Sequence, residues 1–243
     1  MVDQKIRLQV ALAQLGFASR RGAAEIIKAG RVRVNARPAF KPGQRVNLEK
    51  DAITVDGEAT RIQKKVYFLL NKPGGVVASV KDKYAGQTVL DLIRQKDARI
   101  YPVGRLDKDT TGLMLLTNDG ELAYRLTHPK FGIKKIYQVC VKGSVSRRKL
   151  RNLEAGILLE GEKTLPCKIK VIAGKKEAAR LEIQLTEGRK RQIKKMFAAL
   201  GHPVLAIERT AFGPLELGAL KAGRWRRLKA SEAAELKKAA GVT

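Results

Sequence analysis

Residues 104–120 read GRLDKDTTGLMLLTNDG, a charged loop that runs directly into an apolar segment. The apolar residues at 112–116 predict a buried strand, and such a strand holds the backbone of the loop beside it. Among the charged side chains of the loop are Arg105 and Asp107. The stretch therefore presents a carboxylate, Asp107, on a rigid support.

The charge of the whole chain is strongly positive. Its 243 residues include 50 Lys and Arg against 23 Asp and Glu, which gives a formal net charge of +27. This charge exceeds what solubility requires, so we expect a polyanionic partner. No segment approaches the roughly 20 apolar residues of a membrane span, and the N-terminus lacks the apolar core of a signal peptide. We expect a cytoplasmic protein that does not bind membranes.

The hydrophobic pattern predicts more strands than helices, without strict alternation of the two. This pattern favours an α+β fold with a mixed, mainly antiparallel sheet and flanking helices. The clearest predicted strands lie at 112–116, 135–141, 166–172, 179–185, 204–207 and 225–228. Helices are predicted at 121–127, 146–153 and 191–200, and a last one begins with Ser231 as its cap.

The first fifty residues have their own pattern. Apolar residues at helical spacing predict a short helix over 7–15, and Ser19 is expected to cap a second helix that stops at Gly30. Residues 58–65 are polar and are predicted to be a linker. The expected domains are thus residues 5–57, then 66–230 after the linker, and a C-terminal helix or tail at 231–243.

An isolated loop aspartate such as Asp107 is usually a turn former or a helix cap. Here it closely follows Arg105, it precedes a buried strand, and the sequence contains no Gly-x-Ser-x-Gly elbow or cysteine beside a histidine motif that would rival it. Asp109 and Asp119 also permit a magnesium site, although the surrounding lysines would compete with a cation. Gly-rich phosphate loops are missing, so no nucleotide cofactor is expected.

The two cysteines and two histidines predict no metal site. Cys140 and Cys167 are isolated within apolar, strand-like segments and are expected to be buried thiols. His128 and His202 each precede a proline and are expected in turns. Together they provide too few ligands for a Cys/His zinc site.

Three blocks in fixed order resemble the bacterial ribosomal RNA pseudouridine synthases, in the branch related to the small-subunit enzyme. They are residues 104–120, KKIYQV at 134–139 and TEGRKRQIKKMF at 186–197. The resemblance implies Asp107 as the nucleophile and no metal or other cofactor. It also implies five substrate-binding residues: Arg105 displacing the target base, Tyr137 stacking on it, Ile193 packing beside it, Lys194 paired with Asp107, and Arg189 near the mouth of the site.

The residues alone leave other interpretations open. Tyr137 could be a core tyrosine with a tethered hydroxyl. The basic helix start at 186–197 could simply face RNA. Arg105 could form a salt bridge with Asp109 or Asp119.

A second resemblance concerns the N-terminal residues. The segments SRR at 19–21, EII at 25–27 and GRVRVN at 30–35 resemble the S4-type RNA-binding domain. Residues 1–50 contain eleven basic and three acidic side chains. The resemblance implies that four cations contact RNA phosphates, namely Arg20, Arg21, Lys28 and Arg31. The alternative is a basic helical face that is only solvated.

Together these resemblances imply a cofactor-free isomerase that converts a specific uridine to pseudouridine in ribosomal RNA or ribosomal precursor particles. Separately, we expect a monomer. The segment EGRKRQ at 187–192 favours large-subunit over small-subunit RNA. Two other functions remain open: a non-catalytic S4-type assembly factor, and a metal-dependent RNA hydrolase.

Overall fold

The computed structural model describes residues 5–82, 84, 86–95 and 98–242. These residues form two compact units. The first contains the described residues up to Val66 together with Ala98 and Arg99, and the second contains Tyr67–Gln95 and the residues from Ile100 onward. The first four residues of the expected N-terminus and Thr243 of the expected tail lie outside the described residues.

The first unit packs two helices against short strands. Its elements are β1 (Ile6–Arg7), α1 (Leu8–Gln14), α2 (Arg20–Lys28), β2 (Val32–Val34), β3 (Arg37–Pro38), β4 (Arg45–Val46), β5 (Ile53–Val55) and β6 (Glu58–Ala59). Strands β3, β2, β5 and β6 form an antiparallel sheet in that order, and β1 pairs with β4. Both predicted helices are confirmed, and the Ser19 hydroxyl accepts a hydrogen bond from the Gly22 N–H at 3.1 Å.

The predicted linker needs a correction at its start. Glu58 and Ala59 form strand β6, which pairs with Val55 and Thr54 of β5. The turn at Asp56 and Gly57 reverses the chain and explains this pairing, because both residues have the positive φ angles of a tight hairpin. The polar character of residues 58–65 therefore conceals an edge strand.

The second unit is built on one large sheet. Its strands are β7 (Tyr67–Lys72), β8 (Tyr101–Pro102), β9 (Thr111–Thr117), β10 (Lys135–Lys142), β11 (Leu158–Leu159), β12 (Glu162–Lys163), β13 (Lys168–Gly174), β14 (Ala178–Leu185), β15 (Val204–Phe212), β16 (Leu215–Glu216) and β17 (Trp225–Arg227). Its α-helices are α3 (Val89–Leu92), α4 (Gly120–Thr127), α5 (Arg147–Glu154), α6 (Gln192–Ala198) and α7 (Ala230–Ala239). Within the described ranges, no helix has the length and apolar character needed to cross a bilayer.

The sheet has the order β13-β14-β10-β15-β9-β7-β17, with β8 and β16 added beside β9 and β15. Among the described strands of this sheet, every pairing is antiparallel except that of β9 with β15. The predicted α+β class and the mixed, mainly antiparallel sheet are therefore confirmed. The hairpin of β11 and β12 is separate from this sheet.

The parallel contact of β9 and β15 positions the Asp107 loop. Gly112 of β9 is in register with Arg209 of β15, which is in register with Tyr137 of β10. A β-carbon on Gly112 would collide with the backbone of Arg209, so this close approach requires glycine. The loop before β9 thus lies at the centre of the sheet, at the same level as Tyr137.

Two predicted boundaries differ from the structure. Strand β15 extends to Phe212 instead of ending near 207. The charged Arg209 interrupts the apolar pattern of the sequence, yet its side chain is buried within the strand. Helix α7 begins at Ala230, so Ser231 lies inside it and is not its cap. Instead, the Glu232 carboxylate accepts a hydrogen bond from the Lys229 N–H at 2.8 Å.

The expected burial is confirmed for Cys167 but not for Cys140, and both histidines lie outside the helices and strands. Cys167 is buried, Cys140 is half-buried, and neither is in a disulfide. His128 follows the last residue of α4, and His202 lies between α6 and β15. Neither histidine belongs to a group of three or more potential metal ligands within the described residues.

Candidate active site

Asp107 lies in the turn that connects β8 to β9. The Thr110 N–H donates to the Asp107 carbonyl at 3.1 Å and closes the turn. Leu106 on one side and Thr110 on the other are buried, whereas Asp107 is half-buried. The two buried neighbours anchor the loop and leave the carboxylate at the surface of a cavity.

Lys72 supports this loop from beneath, and it is a residue that the sequence analysis missed. Its fully buried ammonium donates to the carbonyls of Pro73 at 2.9 Å, Val76 at 2.8 Å and Lys108 at 3.1 Å. Burial lowers the pKa of Lys72 to about 8, while the carboxylates of Asp109 and Asp107 act in the opposite direction. A lysine at the end of the buried segment 67–72 was the available sequence signal.

A cavity of about 310 Å³ opens beside Asp107. Its volume lies at the lower end of the range typical of small-ligand pockets. The cavity is lined by the predicted nucleophile and all five predicted substrate-binding residues: Asp107, Arg105, Tyr137, Arg189, Ile193 and Lys194. Three separate blocks of the sequence therefore converge on one site.

Tyr137 and Ile193 form apolar parts of the wall. Tyr137 lies on the inward face of β10 and exposes 9% of its surface, and Ile193 on α6 exposes 6%. Tyr137 therefore packs in the core and also lines the cavity. The two interpretations of this residue are compatible.

The ion-pair partner of Lys194 is not the one that the resemblance implied. Its ammonium contacts both carboxylate oxygens of Asp109 at 2.5 Å, whereas the resemblance implied a pair with Asp107. Asp109 lies farther along the turn, where its side chain reaches α6. The hydrogen bond from Lys194, together with the charges of Lys194 and Arg191, lowers the pKa of Asp109.

The alternative salt bridges of Arg105 are not formed. Asp109 is paired with Lys194, and Asp119 accepts hydrogen bonds from the Leu122 N–H at 3.2 Å and the Tyr67 hydroxyl at 2.9 Å. Asp119 is thus the N-cap of α4. Arg105 is exposed at the cavity and forms no ion pair with the described residues.

Arg189 connects the cavity to the hairpin of β11 and β12. Its guanidinium donates to the carbonyls of Glu162 at 3.2 Å and Lys163 at 2.5 Å, and to the Glu187 carboxylate at 3.1 Å. Glu187 is buried and also accepts a hydrogen bond from the Gln192 side chain at 2.7 Å. Arg189 therefore braces the start of α6 as well as lining the cavity.

Two further cations, Lys190 and Arg191, surround Asp107. Both line the 310 Å³ cavity and a second one of about 520 Å³ on the Lys108 side of the loop. Arg191 has a φ of 54°, which is uncommon for a residue other than glycine and occurs often at functional sites. The carboxylate thus lies in a strongly positive environment, suited to an anionic substrate.

The four cations singled out in the first unit differ in their partners. Arg31 donates to both oxygens of Asp56, at 2.9 and 2.5 Å, and Lys28 lies 3.5 Å from Glu25. Arg20 and Arg21 are exposed at the start of α2 and form no ion pair with a described residue. The last two are therefore free to meet an external anion.

Comparison with known proteins agrees with these features. The family model described as RNA pseudouridylate synthase matches residues 66–199, and the S4 domain model matches residues 6–53. The chain belongs to the RNA pseudouridine synthase family. Its partner is therefore RNA, and the chain is an isomerase instead of a hydrolase or a non-catalytic assembly factor.

Individual relatives cover almost the whole enzyme. It is 43% identical over 233 residues to the ribosomal large subunit pseudouridine synthase B of Bacillus subtilis, covering 95% of each chain. It is 40% identical over 239 residues to an RNA pseudouridine synthase of Aquifex aeolicus, covering 98% of this chain and 96% of that one. A crystal structure of a pseudouridylate synthase superposes with a TM-score of 0.69 at 32% identity, covering 95% and 99% of the two chains.

Proposed function

We propose that this enzyme converts a specific uridine of large-subunit ribosomal RNA to pseudouridine, with Asp107 as the nucleophile on a flipped nucleotide. The observation that carries the proposal is the convergence of Asp107, Tyr137 and Lys194 on one cavity. The name of the Bacillus subtilis relative supports the large subunit as the target. We further propose that the enzyme acts in the cytoplasm, as a monomer and without a cofactor.

The proposed reaction needs no second substrate. A carboxylate oxygen of Asp107 attacks C1′ of the ribose, and the C1′–N1 bond breaks with its electron pair remaining on the uracil. The uracil turns against Tyr137 until C5 faces the sugar. C5 then bonds to C1′ and expels the carboxylate, C5 loses its proton, and N1 gains one, so the product is an isomer of the substrate.

The cations have separate proposed roles. Arg105, which is exposed and lacks an ion pair with the described residues, is suited to displace the base or bind a phosphate. Lys194 is held by Asp109 and contributes positive charge to the cavity wall beside Ile193. Arg189 supports the mouth through its contacts with the hairpin. In the first unit, Arg20, Arg21, Lys28 and Arg31 are proposed to contact phosphates.

The test compares Asp107→Asn with the wild-type enzyme on unmodified large-subunit and small-subunit ribosomal RNA made by transcription in vitro. Pseudouridine is mapped at each position. We expect the wild type to modify a large-subunit uridine, and Asp107→Asn to lose at least about 10³-fold in rate while it still binds the RNA.

Asp82→Asn is the matched control, because it removes the same charge from a loop that does not line the cavity. Its activity should equal that of the wild type. Persistent isomerisation by Asp107→Asn would refute the assigned nucleophile. Modification of small-subunit RNA alone would refute the assigned target.

A further inference from the structure

Three aromatic rings meet at the C-terminal end of α4. The ring centroids of Tyr124 and His128 are 5.2 Å apart, those of Tyr124 and Phe131 are 5.9 Å apart, and those of His128 and Phe131 are 6.2 Å apart. We call Tyr124, His128 and Phe131 the ring cluster. Tyr124 leaves 50% of its surface exposed, so one ring of the cluster is accessible from solvent.

Cations border the ring cluster. The Lys130 ammonium lies 4.8 Å from the Phe131 centroid and 5.8 Å from that of Tyr124. The Arg125 guanidinium is 5.5 Å from Phe131, but it is already paired with Glu121 at 3.0 Å. Lys130 forms no ion pair with a described carboxylate, so the surface combines exposed rings with an available positive charge. Single-stranded nucleic acid binds to surfaces of this composition through base stacking and phosphate contacts.

The C-terminal end of α4, which carries the ring cluster, contacts a residue that lines the Asp107 cavity. Helix α4 runs beside the segment that leads to Asp107, and a β-carbon placed on Gly104 would lie 3.3 Å from the Thr127 methyl group. Gly104 lines the cavity, and Thr127 directly precedes His128. Tyr124 is one helical turn before Thr127. The side of the cavity formed by Gly104 therefore faces the end of α4 that carries the ring cluster.

The side-chain hydrogen bonds at the end of α4 do not involve the Tyr124 hydroxyl. The His128 ring accepts the Lys130 N–H at 3.3 Å, and Gly132 ends the turn with a φ of 61°. These contacts shape the end of α4 through His128 and Gly132. Tyr124 contributes its carbonyl, which accepts the His128 N–H at 2.9 Å, whereas its hydroxyl forms no hydrogen bond with a described residue.

We propose that the ring cluster stacks an unpaired base that flanks the target uridine in the same RNA strand, with Lys130 contacting an adjacent phosphate. The inference rests on the proposed function, because it takes the strand in the Asp107 cavity as the ligand. A flanking base held in this way would fix the register of the strand. The ring cluster would therefore contribute to the choice of target as well as to affinity.

The first test maps the contact directly. A photoreactive benzoyl-phenylalanine replaces Tyr124 in the full-length Asp107→Asn protein, which is bound to unmodified large-subunit ribosomal RNA and irradiated. We expect the cross-link within a few nucleotides of the uridine that the wild type isomerises. A cross-link confined to distant nucleotides, or none when the RNA is fully bound, would overturn the proposal.

The second test separates stacking from packing. Tyr124→Phe keeps the ring, whereas Tyr124→Leu keeps apolar contact but has no flat face. We expect Tyr124→Leu to raise KM and the RNA Kd about 5- to 10-fold with kcat within about twofold, and Tyr124→Phe to behave as the wild type. A lower melting temperature of Tyr124→Leu with unchanged KM and Kd would show a purely structural role and reject stacking.

The two proposals fail in different ways. If the wild type isomerises no uridine of the large-subunit transcript, the proposed function is wrong. The Kd values of Tyr124→Leu and Tyr124→Phe for the same transcript still decide the role of the ring cluster. Equal Kd values would overturn it, and a selective loss in Tyr124→Leu would support it.

Discussion

Two buried lysines in the second unit have opposite consequences for stability. Lys72 donates to three carbonyls and joins the end of β7 to the Asp107 loop. Lys135 has one long hydrogen bond, to the Ile133 carbonyl at 3.3 Å, and lies near the positive charge of Arg209. Lys72 therefore stabilises the Asp107 loop through its hydrogen bonds, whereas Lys135 is a buried charge with little compensation from hydrogen bonds.

We therefore predict different effects of replacing each lysine by methionine. Lys72→Met leaves three carbonyls without their donor and should lower the free energy of unfolding by about 2–3 kcal/mol. It should also reduce isomerisation, because the Asp107 loop loses its support. Lys135→Met removes a desolvated charge and should leave stability unchanged or raise it by about 1 kcal/mol. Urea unfolding at pH 7 measures both, and equal losses would contradict the contrast.

The same lysines predict how stability depends on pH. Burial lowers the pKa of Lys72 and of Lys135 to about 8, from an ordinary value near 10.5. Between these values the unfolded chain binds more protons than the folded chain, so stability rises with pH. Above pH 10 the trend should reverse, since burial and the hydrogen bond to Asp119 raise the pKa of Tyr67 and disfavour its ionisation in the folded state.

The measurement is the urea midpoint at several values between pH 7.5 and 9.5. We expect the midpoint to increase over this range and the increase to be smaller in Lys135→Met, which has only one of the two titrating lysines. A flat profile, or the same slope in the variant, would show that Lys135 keeps its proton in the folded protein.

The sequence motifs predicted which residues line the cavity better than they predicted how individual residues pair. Each motif has a short local spacing, so the six predicted residues reach one cavity once their elements are placed. The pairing of Lys194 with Asp109 instead of Asp107 depends on the path of the turn between them, which spacing does not specify. Lys72 was missed because its partners are backbone carbonyls, which leave no pattern of side chains.

The contact between strands β9 and β15 determines where the Asp107 loop lies. The strands run parallel, and Gly112 lies against the backbone of Arg209. Its φ of 102° is also unfavourable for any other residue. Sequence alone predicted the two strands separately, but their pairing joins residues almost a hundred positions apart and had no local signal.

Gly112→Ala should destabilise the protein through both backbone strain and collision. We expect a loss of at least about 3 kcal/mol in the free energy of unfolding, or no folded protein. Gly132→Ala is the matched control, because Gly132 has a φ of 61° but open space around its α-carbon. It should lose only about 1 kcal/mol. Chemical unfolding of both variants measures the difference, and similar losses would show that the close strand contact does not matter.

The positive charge of the chain agrees with an RNA substrate, but its cations are not equally available to bind RNA. The first fifty residues of the sequence contain eleven basic side chains. The structure shows that Arg31 is already bound to Asp56, whereas Arg20 and Arg21 are not engaged with a described carboxylate. Composition can predict the partner class, since net charge depends on no geometry, but it cannot predict which cations remain available.

This distinction predicts the salt dependence of RNA binding. If Arg20 and Arg21 each neutralise a phosphate, the double variant with glutamine at both positions should reduce the slope of log K against log salt by roughly 1.4–1.8. Its affinity should fall, whereas kcat at saturating RNA should stay unchanged because the Asp107 cavity belongs to the other unit. Arg31→Gln is the single-site control, and it should change the slope by clearly less than the roughly 0.7–0.9 of one full phosphate contact, because its guanidinium is held by Asp56. Filter binding of unmodified large-subunit RNA over a salt series measures all three slopes. An unchanged slope in the double variant, or a change of roughly 0.7–0.9 in Arg31→Gln, would show that phosphate contacts of the first unit do not follow the ion pairs of the free protein.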